Sequence, residues 1–151
     1  MLKNKTDEAN FETLVTSELY KINLSGQAEL FKGQAMYSNE SFSPDGSCLM
    51  VTTIQKPFSY IVPLSRFPSK TVVYDLAGKE IKQVNEVGLS EVLPKGFMAV
   101  RKGKRSMNWR SDKPSSLYYV EALDGGDPET KVEFRDAVYQ WDSPFLSEPN
   151  L

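Results

Sequence analysis

The chain has 151 residues, enough for one modest domain and too few for two well-buried ones. Apolar residues make up 40% and charged residues 25%, and acids and bases mix to a net charge of −2 with a pI near 5.3, the balance of a globular chain. That balance supplies no broad field for nucleic acid or an anionic membrane surface, and no apolar stretch reaches the roughly 18–20 residues of a bilayer span. Residues 1–10 contain no apolar core, so no signal peptide is expected within the chain, and the leader of an exported parent would lie outside it.

Two further counts restrict the chemistry. The chain contains no histidine, so neither a Ser-His-Asp nor a Cys-His relay can be assembled from its own residues, and histidine-based zinc sites are excluded. Cys48 is the single cysteine. It forms no internal disulfide, has no imidazole to activate it, and reads as a buried structural thiol. There is no Gly-x-Ser-x-Gly elbow, no Gly-rich phosphate loop and no Gly-x-Gly-x-x-Gly. No cofactor is called for.

In chain order, residues 18–24 alternate around Leu19, Ile22 and Leu24 and stop at Ser25-Gly26, which predicts a strand and a turn. Residues 27–32 predict its partner. Ser43-Pro44-Asp45-Gly46 predicts a tight turn. Pro44 presets φ, Asp45 hydrogen-bonds the turn backbone, and Gly46 tolerates positive φ. Residues 48–54 form a continuous apolar, β-branched run, as in a strand buried on both faces. Pro57, Pro63 and Pro68 punctuate residues 56–70, with residues 58–62 either a short strand or an extended loop. Residues 71–76 and 80–84 flank Ala77-Gly78-Lys79 as a hairpin.

Residues 85–105 predict a long connection. Residues 107–110 predict a short strand, Ser111-Asp112-Lys113-Pro114 a turn, and residues 116–122 a strand rich in β-formers. Asp124-Gly125-Gly126-Asp127-Pro128 reads as a turn. The last part is a strand around Val132 and Phe134, then a helical turn or another strand. The best helical stretches are 10–16 and 136–141. A plan of short strand, Asp-bearing turn and hydrophobic strand occurs twice, with Asp45 and Asp112 67 residues apart. Such a restart suits successive blades of a β-propeller, and an ordinary β-sandwich is the rival.

Residue by residue, several stretches are similar to a known family. Ser43-Pro44-Asp45-Gly46 ahead of an apolar strand resembles the blade start of TolB-like and peptidase propellers. Gln55-Lys56-Pro57-Phe58-Ser59-Tyr60-Ile61-Val62-Pro63, then Arg66-Phe67-Pro68, resembles the glutamyl endopeptidase-like branch of the prolyl oligopeptidase family. So do Val100-Arg101-Lys102-Gly103-Lys104-Arg105-Ser106-Met107-Asn108-Trp109-Arg110 and Asp124-Gly125-Gly126-Asp127.

The resemblance covers about residues 42–141. It implies an all-β fold of about two four-stranded antiparallel blades, part of a propeller that in the family caps an α/β-hydrolase domain. The expected division is an N-terminal extension (1–17), the end of a preceding blade (18–42), a first blade with a loop insertion (43–100), a partial second blade (101–146) and a tail (147–151).

The hydrolase domain of the family is absent, so no catalytic residue is carried over. The expected role is to gate and shape access to that domain, present in cis or in trans. A peptide substrate is expected only in the intact parent, which is expected to be periplasmic or secreted. The alternative is a free-standing β-rich interaction module. A small hydrolase working through carboxylates is a weaker third reading, since nothing positions an acid pair across a cleft.

Arg66, Arg101, Arg105 and Arg110 are the candidate substrate-binding residues, because a planar guanidinium meets an acidic side chain through two hydrogen bonds. Pairing with a local acid such as Asp112 or Glu121 is the competing use. Glu121, Asp124 and Asp127 do not have calcium-loop spacing and are expected to serve a turn, with no metal. Trp109, Tyr118, Tyr119, Phe58 and Tyr60 are expected in the packing. A partial propeller leaves apolar flanks and open edges, which predicts self-association.

Overall fold

The computed structural model describes all 151 residues. Strand accounts for 41% of them against 9% helix, in three antiparallel sheets, so the chain is all-β. It divides into two compact units. One is Met1–Ser41 with Leu49–Leu89, and the other is Phe42–Cys48 with Ser90–Leu151.

The first unit opens with α1 (Lys5–Val15). Asn4 caps it by accepting the Asp7 amide at 2.9 Å, and Asp7 and Glu8 place negative charge at the positive end of the helix dipole. This helix starts five residues ahead of the stretch read as helical, because the cap rather than apolar periodicity sets its start. None of its residues is buried. It is held by Phe11, edge-on to Phe58 at 5.3 Å and to Phe67 at 6.0 Å, and by a Lys56–Glu12 ion pair. Phe58 lies in a loop, the second of the two options for residues 58–62. Ile54, Val62 and Phe67 form the centre of this packing, with Leu2, Met36 and Leu89 against them.

β1 (Ser17–Ile22) and β2 (Ala28–Ala35) form a two-stranded sheet. β3 (Tyr37–Phe42), β4 (Cys48–Ile54), β5 (Ser69–Asp75) and β6 (Glu80–Val87) form a four-stranded sheet in sequence order. Its first strand begins at Tyr37, ahead of the Asp45 turn. The continuous apolar run of β4 is buried on both faces at Cys48, Leu49, Met50 and Val51, as the sequence predicts. Val72, Val73 and Val84 add the neighbouring rows. Asp75 closes the β5–β6 hairpin by accepting the amides of Ala77 and Lys79, both at 2.9 Å, while Gly78 takes φ +81°.

The second unit holds β7 (Arg105–Trp109), β8 (Ser116–Ala122) and β9 (Asp136–Asp142) as a three-stranded sheet. β9 decides between the helical turn and the strand left open for this stretch, while the strand expected around Val132 and Phe134 does not form. Residues 136–141 are strand rather than helix, because Ala137 and Trp141 alternate onto the buried face and Tyr139 stacks on Tyr119 at 5.3 Å across an unbroken register. Val132 and Phe134 lie in irregular chain ahead of it. Leu117 and Phe145 are fully buried, with Trp109 and Trp141 against Phe145. Burial of either side chain contributes about 1.5–3 kcal/mol. No helix is long and apolar enough to cross a membrane.

Candidate functional site

The polar structure of the second unit centres on its two Asp-bearing turns. In the first, the Gly46 amide donates to the Ser43 carbonyl at 2.8 Å with Gly46 at φ +70°, the conformation its lack of Cβ permits. The buried Ser43 hydroxyl accepts the Cys48 amide at 3.0 Å and donates to Asp45 Oδ1 at 2.6 Å. Ser47 donates to the same oxygen through its amide (3.1 Å) and hydroxyl (2.9 Å). Asp45 Oδ2 accepts from Ser115 at 3.1 Å, and the Asp45 amide donates to the Pro114 carbonyl at 3.2 Å. These donors, the Ser43 hydroxyl first and the Ser47 amide next, lower the Asp45 carboxyl to about 2.

The second turn repeats the plan. Lys113 donates its amide to the Arg110 carbonyl as Gly46 does to Ser43, and Arg110 bonds Asp112 as Ser43 bonds Asp45, two residues on. Here the partner is a guanidinium. Arg110 Nε reaches Asp112 Oδ1 at 3.0 Å and Nη2 reaches Oδ2 at 2.5 Å. This two-pronged bond raises the Arg110 pKa and lowers that of Asp112. Nη1 also donates to Gln140 Oε1. Arg110, Tyr118, Val138, Tyr139, Gln140 and Leu151 line an open groove of about 360 Å³.

The other candidate arginines are placed differently. Arg101 donates to the carbonyls of Lys102 and Lys104, and burial, then the charge of Arg105, lowers its pKa. Arg105 is ion-paired with Asp136, and its Nε is buried without an acceptor. Arg101 and Arg105 therefore share one neighbourhood, with Lys104 between them seated over the rings of Trp141 at 4.4 Å and Tyr119 at 5.0 Å. Burial is the first cause pushing the Tyr119 phenol up to about 12. Arg66 belongs to the first unit, at the end of a single 3₁₀ turn, Leu64–Arg66.

Asp124 is committed to structure. Its buried carboxylate accepts Arg135 Nε and the Gly126 amide, each at 2.7 Å. Sequence reading overlooked Arg135, whose partner lies eleven residues back, and Ser115, whose partner lies in the other turn.

Against known proteins, the chain is 40% identical over 139 residues to a probable glutamyl endopeptidase, chloroplastic, of Oryza sativa subsp. japonica. It is 38% identical over 139 residues to the protein of the same description in Arabidopsis thaliana. The chain is homologous to one segment of these glutamyl endopeptidases. The matches take in 92% of this chain and only 15% and 14% of the two relatives, so it spans about one seventh of their length. The likeness first read from short stretches thus extends over 139 residues of the chain. No family model matches the chain, and no solved structure matches it.

Proposed function

We propose that the chain is a non-catalytic stretch of β-propeller from a larger serine peptidase of the prolyl oligopeptidase family, where it gates and shapes substrate access to an α/β-hydrolase domain outside this chain. The observation that carries the reading is 40% identity along nearly the whole chain to a protein of which it covers only 15%. A sequence without histidine supports it, since the proton relay of such a peptidase has to come from elsewhere. In this reading the four-stranded meander is one blade, and β7, β8 and β9 belong to the next.

Substrate contacts in the parent follow from charge. Arg110 and Arg105 already hold carboxylates, whereas Arg101 donates to two backbone carbonyls and is the first candidate to meet an acidic side chain. Arg66 is the second candidate.

An antibody raised against the chain should detect, in its source cells, a polypeptide several times larger than 17.0 kDa that cleaves acidic chromogenic peptides. The isolated chain should show no turnover on them. A 17 kDa species alone would overturn the parent peptidase in favour of a free-standing module. Turnover that follows the purified chain would overturn the non-catalytic role.

A further inference from the structure

On the side of β9 away from β8, the Gln140 amide donates to the Asn150 carbonyl at 2.7 Å and the Asn150 amide returns to Gln140 at 2.8 Å. Gln140 thus turns both backbone groups outward. The β8–β9 register runs without a shift from Ser116 opposite Asp142 to Ala122 opposite Asp136. Backbone groups alternate in direction along an antiparallel strand. Val138 and Asp136 therefore also present N–H and C=O outward, beyond the reach of the single Asn150 bridge, and Val138 is 58% exposed.

The four-stranded sheet supplies an internal reference. There the strand after the Asp45 turn is β4, the next is β5, and β6 covers the outer edge of β5 from Val87 opposite Ser69 to Glu80 opposite Tyr74. The strand after the Asp112 turn is β8 and the next is β9, so β9 stands where β5 stands, with one bridge in place of a strand.

We propose that the outer edge of β9 is the docking line for a fourth antiparallel strand, supplied by the polypeptide that continues from Leu151 in the longer protein. The inference rests on the peptidase-segment reading, and the Asn150 bridge fixes its polarity and register. The second residue beyond Asn150 falls opposite Val138, and the fourth falls opposite Asp136. Arg105 pairs with Val120 and Val120 with Val138, so the residue opposite Val138 extends that row and is apolar or β-branched. The residue opposite Asp136 is basic or neutral, since like charges directly opposed disfavour pairing.

Hydrogen exchange read amide by amide in the 151-residue chain and in the longer native polypeptide tests this. The Val138 amide should exchange at least tenfold more slowly in the longer form, while Tyr139, bonded to β8, changes little. In the longer form, Val138→Cys with cysteine two residues beyond Asn150 should form an intramolecular disulfide. Failure to find any longer polypeptide overturns the proposal together with the peptidase reading. An intact longer polypeptide with unprotected Val138 and no cross-link overturns the strand alone, as does a disulfide that joins two copies instead.

Discussion

The Ser115 hydroxyl donates to Asp45 Oδ2 at 3.1 Å across 70 residues of sequence, and so ties one Asp-bearing turn to the loop that opens β8. The same carboxylate collects the Ser43 and Ser47 donors on its other oxygen. Because these bonds favour the charged form, the folded pKa falls from the ordinary 3.8 to about 2. A depressed acid pKa stabilises fully above the unfolded value and loses that contribution as pH falls through the folded one. The Ser47 amide resonance should titrate with a midpoint near 2. A midpoint near 4 would contradict the network, and Asp45→Asn should abolish the titration.

Gly126 combines φ +89° with an ideal Cβ position 2.1 Å from the Val100 carbonyl oxygen, in backbone that also pairs the Val100 amide with the Gly126 carbonyl at 3.1 Å. Gly126→Ala should cost more than ~1 kcal/mol from the left-handed backbone alone, with the clash added. Gly125→Ala, with positive φ but open space around it, should cost less. Denaturant midpoints of the two variants give the comparison.

The Asp124 side chain is 1% exposed and its partner Arg135 is 27% exposed. Removing the arginine strands a buried carboxylate, whereas Asp124→Asn keeps an oxygen for the Gly126 amide. Arg135→Met should therefore destabilise by about 2–3 kcal/mol and Asp124→Asn by less, with the double variant recovering part of the loss. A double variant that loses the full sum of the two single costs would mean the pair is uncoupled.

Tyr20 faces Leu30 and Ile22 faces Ala28 across β1–β2, and Tyr20, Ile22 and Leu30 are all exposed. An apolar strip of this kind on a two-stranded sheet favours association. Light scattering on the isolated chain should give a mass that rises with concentration, and Ile22→Lys or Leu30→Lys should lower it. A monomer at all concentrations would remove the strip from consideration.

Local chemistry made several features readable in advance. The Pro44-Asp45-Gly46 turn, the Asp75–Lys79 hairpin and the doubly buried β4 follow from φ preferences and unbroken β-branched runs, which act within a few residues. The repeat of Asp45 and Asp112 was legible for the same reason. Helix α1 was half legible, because its start depends on one Asn4 side-chain bond rather than on an apolar stripe. Residues 136–141 were ambiguous because Ala137, Tyr139 and Trp141 suit either period until β8 lies beside them.

The sequence by itself determined that this chain is β-rich, that it lacks the imidazole of a peptidase relay, and that it carries arginines suited to carboxylates. Tertiary structure decided which use each arginine takes. Arg110 keeps the pairing with Asp112, two residues away, that its own neighbourhood offered, while Arg105 meets Asp136 across 31 residues, a partner outside any local reading. It also decided that Asp45 is held by a serine 70 residues distant. The physical reason is range. Dihedral preference and side-chain period act along a few neighbouring residues, whereas an ion pair or a shared carboxylate depends on which strands the fold brings side by side.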